Sequence, residues 1–154
     1  MGKRVAVGVA VLVVVLLLVG LLVGRGGGQS EVSRGDFTIY VHDDALLPRG
    51  GWDALVGGVL VVRDRCVLLG GEGGDPDEAK PVVWPSGTRI SDDDPLTIEL
   101  PSGAHLEVGQ TVSGGGGVFD AASETVEVKI DPRCLSDTNE VVVFNPDGND
   151  VTVG

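Results

Sequence analysis

The apolar positions of this chain fall into two regimes. Val5 to Gly24 is an unbroken run of 20 residues drawn only from Val, Leu, Ala and Gly. As a helix rising ~1.5 Å per residue it spans about 30 Å, the thickness of a bilayer's hydrocarbon core. A helix also satisfies its own backbone amides, which lipid cannot do. Beyond the mid-thirties the period falls to two. Phe37, Ile39 and Val41 alternate with Thr38 and Tyr40. Leu96, Ile98 and Leu100 alternate with Thr97 and Glu99, as Ala104, Leu106 and Val108 do with His105 and Glu107. Val126, Val128 and Ile130 alternate with Glu127 and Lys129. Such alternation predicts half-buried strands.

Short continuous apolar runs predict buried strands: Val59–Val62 and Val67–Leu69 as a hairpin around Arg63-Asp64-Arg65, with Cys66 opening its second strand, and Val141–Phe144 as the last. Pro81-Val82-Val83-Trp84-Pro85 reads as a short extended segment, with Trp84 filling the core. Pro101-Ser102-Gly103 joins two strands, its glycine suited to the left-handed position. That register sets Glu99 opposite His105, a cross-strand ion pair. Asp131-Pro132-Arg133-Cys134 predicts a helical turn capped by Asp131 with proline first. About seven short strands without a long helix make the chain mainly β: one N-terminal transmembrane helix, then a small antiparallel β-barrel or sandwich, with the barrel favoured.

Charge orients the apolar run. Lys3 and Arg4 precede it and Arg25 stands nearly alone after it, so the N-terminus is expected in the cytoplasm and the rest outside. A cleaved secretory signal has a core of only ~7–15 residues and a small-residue cleavage site. The best site here, Gly26-Gly27-Gly28 before Gln29, is weak, and no cysteine follows that a lipoprotein could acylate. An uncleaved anchor is favoured. The expected plan is residues 1–4 in the cytoplasm, 5–24 spanning the membrane, 25–35 a flexible glycine-rich stalk, 36–146 an extracytoplasmic β-domain and 147–154 a loose tail. Asp43 to Gly51 and Gly70 to Pro81 read as loops, the latter mobile.

Three of the 11 basic residues precede residue 26, leaving 8 against 23 acidic and a net charge of −15. Nucleic acid and anionic lipid headgroups are excluded as partners by repulsion. The lipid bilayer is met only through residues 5–24. Outside the cell two isolated cysteines, Cys66 and Cys134, predict a disulfide, since a metal site wants four ligands.

Catalytic chemistry finds little footing. His42 and His105 are the only histidines. His42 reads as an exposed strand-end residue beside Asp43 and Asp44, and no serine sits in a nucleophile elbow. Ser113 to Val118 lacks the Gly-Lys-Ser/Thr ending of a phosphate loop, so its glycines read as a tight turn or close backbone approach. Asp92-Asp93-Asp94 and Asp75-Pro76-Asp77-Glu78 lack the spacing of a calcium loop. The sequence thus assigns no catalytic, cofactor-binding or metal residue.

The series Gly58-Val59-Leu60, Cys66-Val67-Leu68, Val82-Val83-Trp84-Pro85-x-Gly87-Thr88, Leu100-Pro101-x-Gly103, Val108-Gly109-x-x-Val112-x-Gly114-Gly115-Gly116, Cys134 and Glu140-Val141-x-Val143-Phe144 resembles a group of small anchored or secreted proteins of high-GC Gram-positive bacteria. The likeness covers Leu55 to Phe144. It implies an envelope location and a β-fold, and no catalytic residues. The function expected is a non-catalytic binding or accessory module of the envelope, meeting another envelope protein or a cell-wall polymer. A carboxylate-dependent hydrolase of an envelope polymer is the alternative. A deep polar cleft with two carboxylates would favour the hydrolase and a shallow surface the binding module.

Overall fold

The computed structural model describes residues 28–43, 51–71 and 73–154. The expected membrane helix, residues 5–24, and most of the loop expected at Asp43 to Gly51 lie outside them. Among the described residues no helix is long and apolar enough to cross a membrane. The chain is mainly β. Its strands are β1 (Gln29–Arg34), β2 (Phe37–His42), β3 (Ala54–Arg63), β4 (Cys66–Gly70), β5 (Lys80–Trp84), β6 (Arg89–Asp93), β7 (Leu96–Glu99), β8 (His105–Glu107), β9 (Thr111–Asp120), β10 (Glu140–Phe144) and β11 (Thr152–Val153). Strands β6, β7 and β8 form a small antiparallel sheet and the others a large one.

The large sheet departs from the antiparallel barrel expected. It is mixed: β2 runs parallel to β5 and β4, and β5 parallel to β10. It curls until β5 meets β4 (Leu68↔Pro81, Leu69↔Lys80) and β2 (Tyr40↔Val83, Val41↔Trp84), yet it does not close into a barrel. Pro81 lies within the seam and Pro85 just past its end, and neither has an N–H to donate to a ladder there. Parallel neighbours need long connections, so alternation along the chain gives no warning of them.

Continuous apolar runs have a physical cause here: the sheet is buried on both faces. Ile39, Val41, Leu60, Leu69, Val82, Trp84, Val142 and Phe144 share one core with Ile90, Ile98 and Leu106 of the small sheet. The alternate residues Tyr40, Val61, Leu68, Val83, Val141 and Val143 share a second core with Val126, Ile130 and Cys134. One face is therefore covered by strands and the other by the segment between β9 and β10.

That covering segment is not the strand its alternation predicts. Val126 and Ile130 are buried and Glu127 and Lys129 exposed, so the two-residue period is real, but no ladder forms. The Gln29 Oε1 accepts the N–H groups of Glu127 and Val128 at 2.9 and 3.4 Å in place of a neighbouring strand. The expected turn follows as a 3-10 helix, η1 (Pro132–Cys134), with the Asp131 carboxylate accepting the Arg133 N–H at 2.9 Å.

Several segments expected to be loose are built into the fold. Gln29–Arg34 of the expected stalk is β1, registered on β2 from Gln29↔His42 to Arg34↔Phe37. Gly35, at φ +58°, opens the two-residue loop between them. In the expected tail Val151 is buried, and Thr152 and Val153 pair with Ser113 and Val112. In the expected mobile loop Ala79 is fully buried, and the Arg63 guanidinium donates to the Pro76 and Asp77 carbonyls.

The hairpins agree with expectation. Val59–Arg63 pairs with Cys66–Gly70, and Asp64 and Arg65 both take positive φ (51° and 68°) in the turn. Gly103 takes φ +82°, and Glu99 faces His105. The ion pair, however, goes elsewhere. Glu99 accepts from Arg89 on its other side, with Nε–Oε2 at 3.2 Å, because a guanidinium offers a carboxylate two parallel donors and imidazole does not.

Candidate functional site

Strands β3 and β9 pair from Ala54↔Gly116 to Val59↔Thr111, setting Gly114 to Gly116 of the glycine run opposite Val56 to Ala54 and the doublet Gly57-Gly58 opposite Ser113 and Val112. The run is neither loop nor turn but the middle of a ten-residue strand. Close approach is why. A Cβ at Gly116 would lie 2.2 Å from the Val143 carbonyl oxygen and 2.7 Å from Val56 Cγ2. At Gly115 it would lie 2.2 Å from Asp150 Oδ2 and 2.5 Å from Asn145 Nδ2.

Side chains from the C-terminal segment lie over that bare backbone. Asp150 Oδ2 accepts the Gly115 N–H at 2.8 Å. Asn145 holds Trp52 by both ends of its peptide groups, its Oδ1 accepting the Trp52 N–H at 2.9 Å and its Nδ2 donating to the Trp52 carbonyl at 3.3 Å. The Trp52 ring leans on Phe119, with centroids 5.1 Å apart and planes at 59°.

Two open grooves result. One, of about 450 Å³, follows β3 and is lined by Leu55 to Val59, Gly71 and Thr111 to Ser113. The other, of about 440 Å³, is lined by Trp52, Asp53, Gly114, Gly115, Asn145 and Asp150. Leu55 stands between them, bordering both, and is 81% exposed. Among the described residues neither groove has a basic residue in its lining. The surface is broad and shallow, with backbone, one large aliphatic side chain and two carboxylates at one end.

Gly116 lets β9 pack closely against Val143 and Val56, which makes Gly116→Ala a severe change. The new methyl meets backbone that cannot move without breaking the β9–β10 ladder, and we expect a loss of about 3 kcal/mol in urea unfolding. Gly103→Ala is the control. No atom lies within 4 Å of its Cβ, so only the left-handed φ is strained and the expected loss is about 1 kcal/mol. Equal losses would show that the clash is relieved by movement.

The expected disulfide is present. Cys66 and Cys134 are bonded at 2.04 Å with Cα atoms 5.5 Å apart. Beside them in the second core, the Tyr40 hydroxyl accepts the Asp131 N–H at 2.9 Å. Burial pushes the Tyr40 phenol above its ordinary value, that hydrogen bond opposes the shift, and the nearby Glu31 and Asp131 charges add to it. Tyr40 is the only tyrosine. Absorbance at 295 nm should therefore titrate with a single midpoint, higher in the folded protein than in urea. Since folding raises this pKa, its contribution to stability is complete below the unfolded value and lost as pH rises through the folded one. Identical midpoints in both states would refute the assignment.

The histidines are not brought together: His42 lies on the large sheet and His105 on the small one. His42 was expected to be exposed, but it is only 3% exposed, with Nε2 3.1 Å from the Phe144 carbonyl oxygen. Its strand simply continues further into the core than alternation implied. The acidic clusters serve local turns. Asp75 Oδ1 accepts the Asp77 N–H, and Asp92 Oδ1 accepts those of Asp93 and Asp94. Among the described residues no three His, Cys, Asp or Glu side chains converge as metal ligands would.

Sequence reasoning missed this face. Of the two readings of the Ser113 to Val118 glycines, close backbone approach holds and a tight turn does not. The signal left unused was the second glycine pair, Gly57-Gly58, on the strand beside them. No protein-family model, curated protein or solved structure matches the chain.

Proposed function

We propose that the chain is a membrane-anchored, non-catalytic binding module of the cell envelope and that the β3–β9 face is its binding surface. The observation that carries the reading is the open, glycine-floored surface on which Leu55 stands almost fully exposed between two grooves. Leu55 contributes little to the core, and together with the largely apolar groove it borders, lined also by Val56, Val59 and Val112, it makes an exposed apolar patch of the kind that marks contact sites. The anchor would hold this face close to the membrane on its outer side, within reach of envelope proteins and wall polymer.

The full chain in detergent, incubated with wall polymer and with extracted envelope proteins, tests the reading. Wild-type protein should be retained on one of these, and Leu55→Asp should lower retention about tenfold, as loss of a central anchor does. Equal retention of the two would remove the face from function. Intact mass of the membrane-extracted protein tests the anchor: a full-length mass supports it, whereas one beginning near Gln29 makes the protein a released one.

A second reading, the carboxylate-dependent hydrolase, draws on Asp53 and Asp150 lining one groove. Asp150 is already committed to the Gly115 N–H, which suits a structural part better than a catalytic one. Release of soluble fragments from wall polymer, abolished by Asp53→Asn, would replace the binding reading with this one.

A further inference from the structure

Strand β3 is ten residues long but β4 pairs with it only from Val59 onward. From Ala54 to Gly58 its inner edge is bonded to β9, and among the described residues no strand pairs with its outer edge. The chain leaves that edge at Gly70 and turns away, with the Gly74 N–H donating to the Gly71 carbonyl at 2.8 Å. An edge left this way offers a row of unbonded amides and carbonyls, and folded proteins usually protect it with charge, proline or a bulge. The terminal strand β1 is protected so, carrying Glu31 and Arg34. The outer edge of β3 reads Ala-Leu-Val-Gly-Gly, with neither charge nor proline. The open groove over β3 and Thr111–Ser113 of β9 reaches this edge, with Leu55, Val56 and Gly71 in its lining.

We infer that the outer edge of β3 from Ala54 to Gly58 takes up an extended cationic peptide segment of a partner protein as an added strand. This rests on the reading of the β3–β9 face as the binding surface and gives its partner a chemistry. Five residues of strand run about 17 Å, enough to register a short peptide through its backbone. Leu55 and the groove beside it would receive alternate apolar side chains of that peptide.

Charge selects the partner. Five of the seven described basic residues are already paired with carboxylates: Arg34 with Asp93, Arg65 with Asp36, Lys80 with Glu140, Arg89 with Glu99 and Arg133 with Asp131. Arg63 is taken up by carbonyls. The described residues hold 21 carboxylates against these seven cations, so the surface keeps a negative surplus. Asp53 adjoins the edge at its start, and among the described residues no basic group lines either groove. A second copy of this chain would bring the same surplus against itself, and a cationic strand is attracted instead.

The test uses the full chain in detergent and a nine-residue peptide alternating valine and lysine, with binding followed by calorimetry. Two derivatives carry N-methyl groups on every second residue, in one phase or the other. An added strand bonds through one set of alternate amides only, so one phase should weaken binding tenfold or more and the other leave it nearly unchanged. A valine–glutamate peptide should bind at least tenfold more weakly than the lysine one. Leu55→Asp, at an exposed position that leaves folding intact, should weaken the lysine peptide at least fivefold.

Equal binding by both methylated phases overturns strand addition, and equal binding by the glutamate peptide overturns the cationic partner. A dimer at micromolar concentration that Leu55→Asp dissolves would make a second copy the occupant, against the proposal. The two readings fail separately. Envelope retention that depends on Leu55 without peptide binding sinks strand addition and leaves the binding face. Phase-dependent peptide binding without envelope retention keeps strand addition and removes the envelope ligand.

Discussion

Replacing Cys66 and Cys134 together with alanine is expected to lower the unfolding free energy by about 4 kcal/mol. The bridge closes a loop with a sequence separation of 68. In the chain-entropy model, cutting it restores to the unfolded chain the freedom that so long a loop removes. The folded state supplies a second reason. Cys134 ends η1 in the segment that covers one whole face of the large sheet, and Cys66 opens β4 beneath it. That segment has no strand ladder of its own. It is held by the two N–H bonds to Gln29, the Asp131–Tyr40 bond, and burial of Val126 and Ile130. The melting temperature should fall by roughly 15 °C for a domain of this size, in thermal unfolding of oxidised and alanine-substituted protein compared side by side. Intact mass after alkylation without reduction should show no added groups. A loss below about 1 kcal/mol would mean the cover docks through packing alone and that the bridge is incidental to stability.

The bridge was legible in the sequence because two cysteines allow a single pairing. The hairpins were legible for a related reason: their partners are neighbours along the chain, so turn chemistry and alternation carry the whole signal. Asp64-Arg65 and Pro101-Ser102-Gly103 show this, the latter fixing even the Glu99–His105 register. What stayed hidden was set by partners distant in sequence. Strand β1 has one apolar residue, Val32, flanked by polar ones, and becomes a strand because β2 offers it an edge. Val126–Ile130 has the alternation of a strand and is denied a neighbour, since the Gln29 side chain takes its amides. The glycine run of β9 reads as a tight turn or a close backbone approach, and the second holds. Local propensity, which disfavours glycine in strands, hides that the run is a strand. The close approach of Val143, Val56 and Asp150 overrides that preference. The candidate face depends on the same non-local pairing. Leu55 is unremarkable in sequence, and its meaning comes from β4 ending opposite Val59 and leaving the outer edge beside it unpaired.

Trp84→Ala should cost 3–5 kcal/mol, the range for truncating a fully buried aromatic side chain. Trp84 and Phe144 are both 0% exposed and stacked, with ring centroids 5.5 Å apart and planes at 24°. Their cluster is where apolar side chains of both sheets meet, Ile98 and Leu106 from the small sheet and Leu60 and Val142 from the large. Removing the indole therefore opens a cavity between layers. Neighbouring backbone cannot collapse into it, because Phe144 is registered on Gly116 of β9. The indole also carries a cost of its own, since its Nε1 finds no hydrogen-bond partner among the described residues. A buried polar group left unpaired costs roughly 1–3 kcal/mol. Trp84→Phe gives up part of the packing but also discards that unpaired N–H, so its net loss should be only about 1–2 kcal/mol. Urea unfolding of the two variants separates the contributions. If Trp84→Phe proves as damaging as Trp84→Ala, the indole nitrogen is satisfied in solution and Trp84 is held by its polar tip as well as its ring. If both are mild, the stack does not join the layers, and the small sheet must be held by its own hairpin and by Arg34, which reaches the Ile90 and Ser91 carbonyls from β1.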